Sequence, residues 1–205
     1  MKAQPPNPVQ GFYRFHAPIY DLTRWLFLHR RKAAVRAMQL QPHHNVLEIG
    51  CGTGLNFALV AKHLDPTRGG ALVGLDFSEA MLQRARLRVA RRNWPYVTCI
   101  QADASTMQFD RRFDRIFFSY SITMIPDWRA ALDRTREHLA PDGRVVLLDF
   151  GRFERWPVIG SVCRAWLRLN HVDVMQPFVD ALRERFKQVN VESWLGGYAF
   201  VAIAQ

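Results

Sequence analysis

The sequence is poor in cysteine and in acidic residues, and it contains no long apolar run. Its three cysteines, Cys51, Cys99 and Cys163, are too few and too scattered for a disulfide framework or a zinc site, which favours a reducing compartment. No apolar window reaches the roughly 18 residues of a membrane-spanning helix. The shares of apolar (49%) and charged (22%) residues are ordinary for a globular domain, which excludes a disordered chain. We therefore expect one folded domain.

Basic residues outnumber acidic ones: 28 lysines and arginines face 18 aspartates and glutamates, which gives a formal net charge of +10. This excess favours an anionic partner, such as nucleic acid, an acidic membrane or an acidic metabolite. Residues 1–10 hold one lysine and three prolines without an apolar core, so we do not expect a secretory signal peptide. The protein is expected to be cytoplasmic, either free or bound peripherally to the inner membrane surface.

Short apolar runs alternate with segments of helical periodicity, which indicates a parallel sheet covered on both faces. Strands are predicted at 46–50, 71–76, 97–101, 114–120 and 144–150, and helices at 12–38, 56–63, 78–92 and 129–139. Two strand-like runs, 186–192 and 198–204, are joined by Gly196-Gly197, which predicts a hairpin and one antiparallel strand. The result is a single doubly wound α/β domain. Its segments are a helical extension (1–40), a core (41–151), an insertion (152–180) and a terminal strand pair (181–205).

Three glycines, Gly50, Gly52 and Gly54, follow the first predicted strand, and Glu48 lies two residues before the first of them. A parallel sheet binds its ligand beyond the carboxyl ends of its strands, and glycine lets the backbone approach that ligand closely. An ordinary tight turn, the alternative, usually needs only one glycine. The spacing differs from the Gly-x-Gly-x-x-Gly fingerprint of dinucleotide sites, and Glu48 would repel a pyrophosphate but pair with a cationic ligand. The loop therefore opposes a nicotinamide-dependent oxidoreductase.

This loop resembles motif I of the class I S-adenosylmethionine-dependent methyltransferases. Asp76 ends the second predicted strand, where that family holds the ribose hydroxyls, and Asp103 follows the third, where an acidic side chain meets the adenine amino group. The resemblance implies S-adenosylmethionine as cofactor, and a seven-stranded, mostly parallel sheet with the last strand antiparallel and an N-terminal helical lid. The cofactor-binding residues that it implies are Glu48, Gly50, Cys51, Gly52, Gly54, Asp76, Phe77, Met81, Asp103, Ala104 and Ser119.

The segment after the fourth predicted strand, 119–128, bears on the methyl acceptor. It lacks the Asn/Asp-Pro-Pro-Tyr/Phe sequence with which enzymes of this class often grip a base, so we expect no nucleic-acid partner. Together with 13–24, it resembles the bacterial betaine-lipid enzymes that trimethylate diacylglyceryl homoserine, and the likeness extends to 148–151 and 197–200. The chain is similar, more distantly, to bacterial phosphatidylethanolamine N-methyltransferases.

The resemblance implies methyl transfer to a lipid headgroup amine, with betaine-lipid assembly preferred. Tyr20-Asp21 is shared with quinone methyltransferases, so a quinone or a soluble small molecule stays as the alternative acceptor. A free amine with a neutral lone pair needs no strong general base, and alignment of acceptor and methyl carbon at roughly 3 Å supplies most of the acceleration. A basic, non-catalytic binding module is the remaining hypothesis.

Aromatic and basic side chains are the candidates for the acceptor site. Tyr20 and Tyr120 are the predicted catalytic residues, because aromatic walls attract a methylated ammonium through cation–π interactions. Arg24, Trp25 and Arg30 are the predicted substrate-binding residues, with an arginine receiving a carboxylate or phosphate of the acceptor. Plain core burial is the alternative for the aromatic side chains. The histidines show no metal-ligand spacing, so no metal is expected, and the sequence leaves the oligomeric state open.

The N-terminal segment also predicts a membrane contact. Six lysines and arginines between 12 and 36 face a single acid, Asp21, and aromatic and leucine side chains alternate with them. This pattern is typical of a helix in the interface of an anionic membrane, and the alternative is a lid over the cofactor pocket. The insertion at 152–180 is expected either to form a second wall of an acyl groove or to pack against the sheet.

Overall fold

The computed structural model describes residues 30–169 and 172–205, which form one seven-stranded sheet with helices on both faces. The strands are β1 (Asn45–Ile49), β2 (Ala71–Asp76), β3 (Val97–Gln101), β4 (Phe113–Ser119), β5 (Leu139–Phe150), β6 (Val189–Trp194) and β7 (Ala199–Ala204). The α-helices are α1 (Arg31–Ala37), α2 (Phe57–Ala61), α3 (Glu79–Arg91), α4 (Trp128–His138), α5 (Pro157–Leu169) and α6 (Phe178–Arg185). Short 3₁₀ turns lie at Pro66–Arg68, Ile122–Met124 and Leu195–Gly197.

The strands lie in the order β3-β2-β1-β4-β5-β7-β6. β1 pairs in parallel with β2 on one side and with β4 on the other, so the strand order reverses beside β1. β7 is antiparallel to both of its neighbours, β5 and β6. The predicted doubly wound, mostly parallel sheet with an antiparallel last strand is therefore confirmed. The reversal places a ligand crevice at the carboxyl ends of β1 and β4.

The central strands are buried on both faces, because consecutive side chains point to opposite sides of the sheet. In β4, Ile116 and Phe118 enter the cluster beneath α4 and α6, whereas Phe117 enters the cluster beneath α1, α2 and α3. All three side chains are fully buried. Burial of a side chain of this size contributes about 1.5–3 kcal/mol. β4 is therefore anchored to both halves of the core, and the crevice at its end has a rigid base.

Some boundaries differ from the prediction. β5 begins at Leu139, five residues earlier than predicted, because it pairs with β4 on both sides of a register shift. α6 extends to Arg185, so the strand predicted from residue 186 begins only at Val189. Of the helix predicted at 12–38, α1 is the part that falls within the described residues. Among those residues, no helix combines the length and the apolar character needed to span a membrane.

Candidate functional site

The loop after β1 requires glycine at two positions. Gly50 and Gly54 have φ angles of 69° and 74°. A Cβ atom at Gly50 would lie 2.4 Å from Ser121 Cβ, and one at Gly54 would lie 2.6 Å from the Phe57 ring. Gly52 also has a positive φ, of 55°, but no atom of the described residues lies within 4 Å of where its Cβ would stand. Apart from its chain neighbours, the described residues therefore leave the space beside the Gly52 Cα unfilled, with room for a ligand.

The Asp76 carboxylate lies at the end of β2, beside the glycine loop. Its Oδ2 accepts a hydrogen bond from the Gly52 N–H at 2.8 Å, and its Oδ1 accepts one from the Ser78 N–H at 2.9 Å. A carboxylate offers about four lone-pair positions, so both oxygens can also accept bonds from a pair of ligand hydroxyls. Of the two predicted neighbours in this region, Phe77 is 40% exposed and Met81 of α3 is buried. Asp76 thus joins two loops of the site.

Glu48 and Asn56 form a buried polar pair next to the glycine loop. The Asn56 side-chain amide donates a hydrogen bond to Glu48 Oε1 at 2.7 Å. Glu48 Oε2 and Asn56 Oδ1 are buried without a hydrogen bond among the described residues. Burial raises the pKa of Glu48 to about 8, against the lowering effects of the Asn56 hydrogen bond and the Arg31 charge. A ligand with N–H or O–H groups would satisfy both unpartnered oxygens.

Cys51, another predicted site residue, is buried inside the same loop. Burial raises the pKa of its thiol well above the usual value, and the Asp76 and Glu48 charges act in the same direction. The thiol is therefore protonated and chemically quiet, since the thiolate is the reactive form of cysteine. Its place in the loop concerns packing and backbone position rather than nucleophilic chemistry.

The loop after β3 places Asp103 at the surface and Ala104 in the core. Asp103 Oδ1 accepts hydrogen bonds from the Ser105 N–H at 2.8 Å and from the Ser105 hydroxyl at 2.7 Å. This geometry is a side-chain-closed turn, which accounts for the residue without a ligand. The contact of Asp103 with the cofactor stays a prediction.

The chain leaves β4 through a strained residue, Tyr120. It is buried and has a φ of 55°, a left-handed conformation that bulky residues rarely adopt. Its N–H donates to the Leu148 carbonyl at 2.7 Å, and the Ser121 hydroxyl donates to the Ile49 carbonyl at 2.7 Å. These bonds fix the loop after β4 to β5 and to β1. Strain of this kind persists where the surroundings enforce it, and it clusters at functional sites.

The chemistry open to Tyr120 follows from its surroundings. Burial raises the pKa of its hydroxyl far above the usual range, and Tyr198 and Asp149 act in the same direction. The phenol therefore stays protonated, so it cannot serve as a general base and can serve as an aromatic wall or a hydrogen-bond donor. Its ring packs against Phe150 with the centroids 4.7 Å apart. The Ser119 hydroxyl is buried and has no hydrogen-bond partner in the described ranges.

Sequence reasoning missed a fully buried carboxylate, Asp149, near the end of β5. It accepts hydrogen bonds from the Thr123 hydroxyl at 3.1 and 3.3 Å, and from the Phe150 N–H at 2.8 Å. An acidic residue inside an apolar strand was the available signal, because a buried polar group must find partners. Asn56 was also missed, and nothing in the local pattern sets it apart from other residues at the start of a helix.

Arg30, a predicted substrate-binding residue, contacts the edge strand β6. Its Nη2 lies 3.5 Å from Glu192 Oε2, and its guanidinium carbon lies 5.9 Å from the centre of the Trp194 ring. These contacts give the side chain a structural role, and its contact with the acceptor stays a prediction. Three other predicted site residues lie outside the described residues: Tyr20, Arg24 and Trp25.

A cleft of about 270 Å³ opens between the loop after β4 and the end of α5. Its walls are Thr123, Met124, Ile125, Pro126, Arg168, Val172 and Asp173. The hydrogen bonds from Thr123 to Asp149 tie one wall to β5, at the same carboxyl edge as the glycine loop. A larger cleft of about 360 Å³, around Phe109 and His138, lies near the amino ends of β4 and β5. The smaller cleft is therefore the candidate acceptor cleft.

Comparisons with known proteins agree with this geometry. Residues 46–143 match the family described as "Methyltransferase domain". The chain is 28% identical over 165 residues to the 2-phytyl-1,4-naphtoquinone methyltransferase of Trichormus variabilis. This alignment covers 73% of this chain and 71% of that protein. It is 27% identical to the enzyme of the same name from Thermosynechococcus vestitus, over 96% of this chain and 98% of that one. The demethylmenaquinone methyltransferase of Listeria monocytogenes is 31% identical over 58% of this chain, which spans only 50% of that enzyme.

Solved structures share the fold. A SAM dependent methyltransferase from Aquifex aeolicus matches with a TM-score of 0.68 and 18% identity, over 87% of this chain and 90% of that one. The DhpI–SAH complex matches with a TM-score of 0.69 and 20% identity, over 96% and 95% of the two chains. The chain is an S-adenosylmethionine-dependent methyltransferase with the class I fold. The predicted enzyme class and cofactor of this methyltransferase are thus confirmed.

The site of the methyltransferase fits its cofactor on three points. Among the described residues, the space beside the Gly52 Cα is unfilled, the Asp76 carboxylate is fixed next to it, and Glu48 and Asn56 each have a buried oxygen without a hydrogen bond. These residues would hold the nucleoside and the positively charged part of S-adenosylmethionine, and each single contact stays a prediction. The named relatives are quinone methyltransferases, so the comparisons do not support the expected lipid-headgroup acceptor.

Proposed function

We propose that this methyltransferase transfers a methyl group to a quinone-type acceptor that carries an apolar side chain. The observation behind the proposal is that relatives named for naphthoquinone methylation match this chain over as much as 96% of its length. A third relative, named for demethylmenaquinone, matches 58% of it. The proposal therefore prefers the alternative acceptor over the headgroup amine that the flanking segments imply.

The candidate acceptor cleft suits such a molecule. Met124, Ile125 and Val172 give it apolar walls, and Arg168 and Asp173 supply polar groups. A mostly apolar pocket with few polar groups is typical of a site for a small apolar ligand. The Arg168 guanidinium is a donor that can bond to an oxygen on a quinone ring.

The acceptor must be electron-rich. When bound, S-adenosylmethionine supplies a methyl group on a sulfonium, which is an electrophile. A quinone ring is itself electron-poor, whereas its reduced hydroquinone form carries an electron pair to share, so we propose the hydroquinone as the substrate. Its electron pair would form the new bond to the methyl carbon as the methyl–sulfur bond breaks, and the acceptor would release one proton to solvent. The role of the protein is to align the acceptor with the methyl carbon, and this alignment alone can account for much of the reduction of the activation barrier. The bonds from Thr123 to Asp149 hold the cleft wall in place for that purpose.

A lipid headgroup amine is the second candidate acceptor. It is favoured by the opposite charges of Arg168 and Asp173, which line the same cleft. A zwitterionic headgroup could place its carboxylate on the guanidinium and its ammonium near the aspartate. The likeness of residues 119–128 to betaine-lipid enzymes supports the same candidate.

A methyl-transfer assay separates the two acceptors. The purified protein is incubated with methyl-labelled S-adenosylmethionine and, in one detergent, with a demethylated prenyl naphthoquinone, diacylglyceryl homoserine or phosphatidylethanolamine. We expect label in the quinone when dithionite keeps it reduced and little label without the reductant. Label confined to a lipid amine would replace the proposal with the second candidate. Absence of label from all three acceptors would reject both.

A further inference from the structure

Helix α5 carries an exposed apolar stripe, which we call the α5 stripe: Val158, Ile159, Val162, Trp166 and Leu169. Four of these side chains are between 63% and 81% exposed, and Trp166 is 52% exposed. Spacings of three and four residues place them along one face of the helix. A monomeric globular protein rarely exposes so many neighbouring apolar side chains, so the α5 stripe indicates an interaction surface.

The opposite face of α5 contacts the rest of the domain through a few buried residues. Leu167 is buried in a cluster with Phe153 and Val174. Gly160 is also buried, and a Cβ atom there would lie 2.8 Å from Phe153 Cβ and 2.9 Å from the Phe153 carbonyl oxygen, so the helix backbone lies close to this residue. Because this face is packed against the protein, the α5 stripe faces away from the domain.

Arginines are frequent in α5 and in the segment just before it. Residues 152–169 contain four arginines and a single acid, Glu154, and Arg152, Arg155 and Arg168 are exposed. Apolar side chains with arginines beside them complement an anionic lipid surface, because the apolar groups enter the acyl boundary while the cations meet the headgroups. The net charge of +10 for the whole chain acts in the same direction.

The α5 stripe ends at the candidate acceptor cleft. Arg168 lines that cleft, and the next residue, Leu169, is 81% exposed. Val172, Met124 and Ile125 are apolar members of the same cleft lining. An acceptor dissolved in a bilayer at the α5 stripe would therefore lie close to the cleft.

We propose that α5 docks this methyltransferase on an anionic lipid bilayer, with the α5 stripe in the interface and the acceptor cleft beside it. This surface differs from the N-terminal segment that the sequence predicts as a membrane contact. It also goes beyond the proposed function, because docking requires no particular acceptor and can be measured without methyl transfer.

Vesicle flotation tests the docking surface. The full chain is mixed with vesicles of phosphatidylcholine and phosphatidylglycerol in equal parts, or of phosphatidylcholine alone, and we expect flotation with the anionic vesicles. Val158→Glu with Val162→Glu should lower the partition coefficient about tenfold or more, since two carboxylates replace apolar contacts. The control, Leu87→Glu with Val191→Glu, changes the charge equally at two exposed apolar positions on α3 and β6 and should float like the wild type.

Each other outcome contradicts the proposal. A wild type that does not float, or a stripe variant that floats like the control, would reject it. Sedimentation equilibrium without lipid tests whether the α5 stripe binds a second copy of the chain instead. A wild-type dimer that becomes monomeric in the stripe variant would assign the α5 stripe to self-association. Calorimetry with S-adenosylhomocysteine checks that each variant is folded. If the stripe variant does not fold, Arg152→Gln with Arg155→Gln should still reduce flotation on anionic vesicles roughly tenfold.

Discussion

At the scale of single residues, Glu48 links folding to ligand binding. Its carboxyl group is buried beside the glycine loop, and its pKa of about 8 keeps it largely protonated at neutral pH. A positive charge nearby favours the ionised form of a carboxyl group, so an incoming cationic ligand would create the charge that holds it. Glu48 is therefore a largely neutral group that should ionise when a cationic ligand binds.

Stability should fall as pH rises because of Glu48. Its folded-state pKa of about 8 lies above the ordinary value of 4.5. Between these values the unfolded chain releases the proton while the folded chain retains it, so this group lowers the free energy of unfolding by as much as about 1.4 kcal/mol per pH unit. Urea unfolding across this range measures the slope, and Glu48→Gln should remove this contribution. Identical slopes for the two proteins would contradict the assignment.

Asp76→Asn should weaken the binding of S-adenosylhomocysteine. The change keeps the shape of the side chain but removes the negative charge and one acceptor beside Gly52, which corresponds to about 1.5–3 kcal/mol for bonds to a charged group. Isothermal titration calorimetry measures the affinity. Asp65→Asn is the matched control, because Asp65 also accepts a backbone N–H, from Thr67 at 2.9 Å, in a turn before β2. An Asp76→Asn protein that binds as tightly as the control would remove Asp76 from the site.

At the scale of elements, the sequence predicts the strands best where burial is continuous. β1, β2 and β4 have apolar runs that end at the motif residues, so both their extent and their role follow from the pattern. The start of β5 escapes prediction because Pro141 and Gly143 signal a turn, and the structure places them in a register shift between two paired stretches. Contacts between separate elements are not predicted either, because periodicity does not show which strand end lies next to Thr123 or Asn56.

The loop after β4 gives a prediction at this scale. Thr123→Val keeps the shape of the side chain but removes a donor to the buried Asp149, which should cost about 1–3 kcal/mol of stability. The cleft wall at Met124 should loosen, so KM for the acceptor should rise while the affinity for S-adenosylhomocysteine stays the same. Thermal unfolding and steady-state kinetics measure the two effects.

Thr135→Val is the control for that variant. Thr135 is also fully buried, but its hydroxyl donates to the Ala131 carbonyl within α4, far from the cleft. A hydroxyl bonded back to its own helix adds little stability. We expect a smaller loss of stability and an unchanged KM, and an equal rise of KM in both variants would show that Thr123 acts through general stability alone.

At the scale of the whole molecule, the sheet order gathers separate loops into one site. The loops after β1, β2 and β4 meet because the strand order reverses beside β1, and the end of α5 adds the outer wall of the acceptor cleft. The sequence pattern already points to candidate residues for the cofactor side, since these follow successive strand ends, and their contacts with the cofactor stay predictions. The acceptor side was not predictable, because one fold serves many acceptors and because the cleft depends on how α5 packs.

The thermal stability of the whole domain should rise with S-adenosylhomocysteine and not with a dinucleotide. A ligand that binds only the folded state adds about 2.7 kcal/mol at a hundredfold excess over Kd, which raises Tm by roughly 5–10 °C for a domain of this size. S-adenosylhomocysteine should give this shift by differential scanning fluorimetry, and Asp76→Asn should reduce it. NAD at the same concentration should give none, because its pyrophosphate would meet the Asp76 carboxylate at the glycine loop. A shift with NAD alone would mean that the loop binds phosphate, and the assignment of Glu48 as a partner for a cation would then be wrong.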